Sequence, residues 1–174
     1  MGKVRKTESA FLFVGTLFSE TDAFVRARER LEICFGAILA ESSQLQWDYS
    51  SYYTKEIGSP IYRRFVFFEK LIDPGMLSRI KLTTNEIEES FSEGGKRRIN
   101  LDPGYLTLSK VVLASTKNYA HRIYLSDGIY GEVTLIYRNG SYEPHIFTYK
   151  DYKDKAYIDI FLDMREKLKT ISGM

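Results

Sequence analysis

Between Ala10 and Phe18 the chain reads AFLFVGTLF, a nearly unbroken apolar run. Successive residues of a strand point to opposite faces, so a strand of this composition has no face to give to water. The run therefore predicts a strand buried on both faces. Ser19-Glu20-Thr21-Asp22 follows with several candidate helix caps, and then Phe24, Ala27, Leu31, Cys34 and Ile38 recur at three- and four-residue steps. Arg26, Arg28, Glu29, Arg30 and Glu32 fill the positions between them. This spacing predicts an amphipathic helix that ends at Gly36, with Cys34 on its buried stripe.

The rest of the chain can be punctuated in the same way. Ala37 to Tyr53 reads as one extended strand, Lys55 to Pro60 as a turn and Ile61 to Glu69 as a strand. Asp73-Pro74 opens a helix to about Ser92, with Leu77, Ile80, Thr84, Ile87 and Phe91 inward. Gly94-Gly95 stops it, and Arg97 to Leu101 reads as a short strand. The order to this point is strand, helix, strand, strand, helix, strand, the split order of a ferredoxin-like unit. Asp102-Pro103-Gly104-Tyr105 has the residues of a type II turn, and Thr107 can cap a short helix carrying Leu108, Val111 and Val112. An antiparallel meander follows: His121 to Leu125, Ile129 to Tyr137, and a strand from Tyr142 after the Asn139-Gly140 hairpin signal. Tyr157, Ile160, Phe161, Met164, Leu168 and Ile171 predict a closing amphipathic helix. The expectation is an α+β protein, with a loose arm over residues 1–9 and a single domain over 10–174.

Composition narrows the function classes. A net charge of +2 is too small for bulk capture of nucleic acid or an anionic membrane, so any anion must be held by local clustering. One cysteine excludes an internal disulfide and a multi-cysteine zinc site. No apolar run approaches the roughly 18 residues needed to span a bilayer, no signal peptide opens the chain, and Lys6 breaks the myristoylation pattern. A cytoplasmic protein is expected, with oligomeric state left open.

Lys96 to Tyr137 concentrates the chemistry. Arg98 and Asn100 share a strand face where a phosphate or carboxylate could be met, or where charge merely guards an edge. The Asp102–Gly104 turn could present backbone N–H groups, with Lys110, Lys117 and Arg122 as further donors. In the hairpin, two registers are open. If the apolar residues share a face, Arg122 falls opposite Glu132 and Tyr124 opposite Tyr130. A tight Asp-Gly turn would instead place His121 diagonal to Glu132. Glu132 or Asp102 as base with His121 or His145 as acid would make an acid–base pair, whereas a plain solvent face would carry a weak ion pair. A His121, Asp102 and Glu132 metal site is conceivable, but no metal is expected, and no motif specifies a cofactor. P-loop, dinucleotide and nucleophile-elbow patterns are missing.

The segments FVGTLFS, RRFVFFEKLIDP, KLTTNEIEES and RRINLDPGYLTLSKVVLASTKNYAHRIYLSDGIYGEVTLIY resemble a family of uncharacterised bacterial proteins that share a domain of unknown function. Some members carry the label "GTP-binding protein". The guanine-reading Asn-Lys-x-Asp motif that label would need is lacking here, as is the P-loop. The leading expectation is a binder of an anionic ligand, a nucleotide or other phosphate compound. The alternatives are a small-molecule enzyme, or a protein or RNA interaction module built on exposed aromatics.

Overall fold

The computed structural model describes residues 2–5 and 7–173. Its elements are β1 (Ala10–Phe18), α1 (Thr21–Phe35), β2 (Ile38–Glu41), β3 (Leu45–Gln46), α2 (Thr54–Ile57), β4 (Tyr62–Ile72) and α3 (Leu77–Ser90). They continue with β5 (Ile99–Leu106), β6 (Lys110–Ser115), β7 (Ile123–Ser126), β8 (Ile129–Arg138), β9 (Ser141–Pro144) and α4 (Lys155–Ile171). All nine strands join one antiparallel sheet in the order β2-β4-β1-β5-β6-β8-β7, with β3 on β4 and β9 on β8. Of the expected arm, Met1 and Lys6 lie outside the described residues, and the others before Ala10 are exposed and without regular structure.

The apolar run is buried throughout, because helices cover both faces of β1. Leu12, Val14 and Phe18 pack with Phe24, Ala27 and Leu31 of α1 and Ile80 and Ile87 of α3. On the other face Phe11 and Phe13 join Phe65 and Phe67 of β4 beneath Tyr157, Phe161, Met164 and Leu168 of α4. Asp73 accepts the Gly75 N–H ahead of α3, and Asp154 caps α4 by accepting from Ala156 N–H at 2.8 Å.

Five expectations are corrected. Asp102-Pro103-Gly104 is no turn: it lies inside β5, paired with β1 through Gly15, Val14 and Phe13. Residues after Thr107 form β6 rather than a helix, because Val111 and Leu113 face α4 while Val112 and Ala114 face α3, a period-two burial that a helix cannot satisfy. Ala37–Tyr53 holds two short strands, and α2 occupies part of the expected turn. Cys34 is exposed, since the helix turns Phe35 toward Phe68 instead.

Both hairpin turns have two central residues with positive φ, Asp127-Gly128 and Asn139-Gly140, as the twist of paired strands favours. Ile123 pairs with Gly131 and Tyr124 with Tyr130, and a bulge lies between Tyr124 and Ser126. The tight turn and the Arg122–Glu132 alignment therefore coexist.

Candidate functional site

A split in the sheet makes the site. β5 pairs with β1 along its whole length, but with β6 only from Gly104 to Leu106. Beyond that, Leu101 has no strand partner on its outer side. Its N–H donates to Glu88 Oε1 at 2.5 Å and its C=O accepts from Lys81 Nζ at 2.8 Å, both from α3. Polar backbone atoms two residues apart in a strand point the same way, so Pro103 also faces β6. Pro103 has no N–H to continue that ladder, and the two strands part there. Gly104 sits at the join because a Cβ would meet Val112 O at 2.5 Å and the Phe13 ring at 2.6 Å.

The opening leads into a cavity of about 680 Å³ on the α4 side of the sheet, past the end of the phenylalanine core. Asn100, Asp102, Arg63, Ser115 and Glu132 line it from four strands, Lys81, Asn85 and Glu88 from α3. Its rim is formed by the segment holding Trp47, Tyr49, Tyr52 and Tyr53 and by the segment Tyr149–Tyr152. The two segments are tied together: Trp47 Nε1 donates to Asp151 at 3.1 Å, and Tyr49 OH to Asp154 at 2.6 Å.

Most charge in the wall is already matched. Arg63, 2% exposed, pairs with Asp151 at 2.9 Å and Asp102 at 3.3 Å. Glu88 lies 3.3 Å from Arg97 and 3.9 Å from Lys81. Burial pushes its carboxyl above the ordinary carboxylate range; Lys81 opposes the shift. Glu132 receives Arg122 Nε at 2.7 Å, His121 Nε2 at 3.3 Å and the Thr134 hydroxyl at 3.2 Å. Arg122 is clamped in turn by Ser115 Oγ, the Lys117 carbonyl and Tyr149 OH. Burial of its hydroxyl end beside Arg122 pushes the Tyr149 phenol up to about 12, while the residue as a whole stays 43% exposed at the mouth. At the mouth, Lys117 and Lys150 have no carboxylate partner among the described residues, and Lys117 lies 5.2 Å over the Tyr52 ring.

Six of the expected site residues are brought together and four are not. Asn100, Asp102, Lys117 and Glu132 line the cavity, Arg122 stands directly behind Glu132, and His121 touches Glu132 while stacked on Phe147 at 4.7 Å. Arg98 points elsewhere: it bonds Glu20 and Glu93 beside α1, because the chain bends at Arg98 and strand alternation starts only at Ile99. Arg97 takes the expected place, donating to Asn100 Oδ1 at 3.1 Å. Gly104 lies inside the sheet, paired with Phe13 of β1 and Leu113 of β6, so it belongs to no turn that could offer N–H groups to a ligand. Lys110 lies at the far end of β6, opposite Ile136. His145 bonds the Val133 carbonyl, outside the cavity wall.

Sequence reading missed Arg63, Lys81, Glu88 and Asp151. For Arg63 a signal existed: an arginine at the head of RRFVFF, two residues before Phe65 and so on its face of a strand otherwise built for the core, has to find a buried anion. Asp151 lies 88 residues further on in sequence, and nothing local connects the two.

Among the described residues no group of three His, Cys, Asp or Glu side chains is placed to hold a metal, and no helix is long and apolar enough to cross a membrane. Comparison with curated proteins and with solved structures returns no match. The family model described as Domain of unknown function (DUF4416) matches residues 8–168, and the chain belongs to that family.

Proposed function

We propose that the cavity binds a small anionic ligand, a nucleotide or another phosphate compound, without a P-loop. The observation that carries this reading is the charge balance. The acids Glu88, Asp102, Glu132 and Asp151 are each paired with Arg63, Lys81, Arg97 or Arg122, which leaves Lys117 and Lys150 at the mouth as unmatched cations. The exposed Tyr52 and Tyr149 beside them offer ring faces to a flat body such as a base. Lys117, Lys150 and Tyr52 would meet the ligand directly. Arg122 and Arg97 would position Glu132 and Asn100.

Calorimetric titration with GTP, ATP and inorganic polyphosphate tests this, with melting temperature as a second readout. Heat of binding and a raised melting temperature are expected with at least one of them, at a stabilisation of about 2.7 kcal/mol for ligand at a hundred times its Kd. The Lys117→Ala, Lys150→Ala double variant should lose both signals while melting as before without ligand. Silence from all three ligands overturns the reading.

One observation favours an enzyme as the second reading. Asp102 leaves 29% of its side chain exposed, and its bond to Arg63 engages a single carboxylate oxygen, so it is the wall carboxylate best placed to act as a general base. Asp102→Asn would then abolish a turnover that Glu132→Gln only weakens through stability. The order β2-β4-β1-β5, with α1 and α3 on one face, supports a ferredoxin-like unit as the scaffold. The lone exposed thiol of Cys34 suits the cytoplasm.

A further inference from the structure

Four strands lie at the edges of the sheet, and they are guarded differently: β3 is only the two residues Leu45–Gln46, too short to template another strand. β2 carries Glu41, held by Arg28 and by Arg64. β9 carries Glu143 and Pro144. β7 ends the main strand order and reads Ile-Tyr-Leu-Ser, with neither charge nor proline. Edges left this way are templates for another strand, and natural sheets usually guard them.

The side chains of β7 are exposed as well. Ile123 is 72% exposed, Tyr124 58% and Leu125 42%. Ile123 lies opposite Gly131, which pairs with Ala114 on the α3 side of the sheet, and Leu125 packs over Gly131 on that side too. Here α3 covers Ile129, Val112 and Ala114 but stops short of the neighbours. Val133 and Ile136, on the same face, remain 36% and 37% exposed. Leu82, one turn along α3 from the Ser78 that bonds Ser126, is 36% exposed.

We propose that this surface is an interface with a second copy of the chain. β7 pairs antiparallel with β7 of the other copy about a twofold axis, and the apolar face beside it packs on its counterpart. An antiparallel pair of identical strands satisfies a twofold by construction, so one unguarded edge suffices for a closed dimer. The area agrees: five aliphatic side chains exposed by a third or more supply roughly 400 Å² of apolar surface, about half of the ≈ 800 Å² that each partner gives to a stable interface and close to its usual apolar share.

Sedimentation velocity across micromolar concentrations tests the proposal. The wild-type chain should sediment at twice its 20.2 kDa mass. Ile123→Lys should sediment as a monomer with unchanged circular dichroism and should melt as the wild-type chain does once diluted to monomer, because that side chain is mostly in water in the single copy. A wild-type monomer throughout the range, or a dimer that survives Ile123→Lys, overturns the proposal. Should that variant fold poorly, hydrogen exchange on the wild-type protein decides: β7 amides must be more protected at high concentration than on dilution, and equal protection overturns it.

Discussion

The α4-facing side of the sheet has two ends built from the same strands, and they follow opposite rules. Under α4, β1 and β4 present Phe11, Phe13, Phe65 and Phe67, closed by Phe161 at 4.9 Å from Phe13 and 5.2 Å from Phe65. One step beyond Phe65, the same strand presents Arg63, and β5 presents Asp102 and Asn100. Gly15 marks the change: a Cβ there would stand 2.8 Å from Arg63 Nη1, 3.2 Å from the Phe65 ring and 3.3 Å from Tyr152 OH. The dry end gains from apolar burial and dispersion, which need only fit. At the polar end buried charges must be matched one by one, and they contribute little net stability while any single loss is costly. Burial alone therefore does not account for the polar end as it accounts for the dry one.

The sharpest way to break this comparison is to cut each end once. Phe161→Ala removes a fully buried ring and should cost about 3–5 kcal/mol. Arg63→Leu should cost a similar amount, about 3–5 kcal/mol, but for a different reason, since it leaves Asp151 and Asp102 without their cation. Urea denaturation distinguishes the two causes. Adding Asp102→Asn and Asp151→Asn should restore much of the loss in Arg63→Leu and none of it in Phe161→Ala. Equal behaviour of the two backgrounds would mean that the polar end is only a second piece of core.

Gly15→Ala probes the boundary itself. Arg63 cannot swing aside while two aspartates hold it, so the added methyl should cost about 1–3 kcal/mol in equilibrium unfolding. A smaller change follows at the rim. Asp154→Ala removes the α4 cap and the acceptor of Tyr49 OH, for a loss of about 1 kcal/mol, with hydrogen exchange rising first in the Trp47–Tyr53 segment.

The same contrast explains what could be read from the sequence. Apolar periodicity reports burial directly, so β1, α1, α3, α4 and the two hairpin turns were visible in the residues. Cys34 misled because Phe35, its neighbour, competes for the same edge of the stripe. Asp-Pro-Gly misled for a deeper reason. Its residues suit a turn locally, but β1 pairs with every one of them, and the local preference gave way to the sheet. Proline at that point has a tertiary meaning, the parting of two strands, that no window of sequence carries. Arg122 and Glu132 could be found because a hairpin register joins them; the pairing of Arg63 with Asp151 could not, because only the finished fold makes it.

Glu88 gives the finest test of the polar end, through pH. Burial raises its carboxyl above the ordinary range; Lys81 and the Leu101 N–H pull the other way, Asp102 adds to the rise, and Arg97 opposes it. The folded chain thus holds this proton more tightly than the unfolded chain does. The stability it contributes is present at pH values below the unfolded carboxyl's range and is lost as pH rises through the folded value. Glu88→Gln keeps an acceptor for the Leu101 N–H and removes the titration. Stability of the wild-type protein minus that of the variant should therefore fall as pH climbs through the window just above the ordinary carboxylate range, and level off beyond it. A difference that is flat there and instead rises across the window just below the ordinary carboxylate range would mean that Lys81 and Arg97 outweigh burial, and that the fork between β5 and β6 is held by a strong ion pair rather than by a strained one.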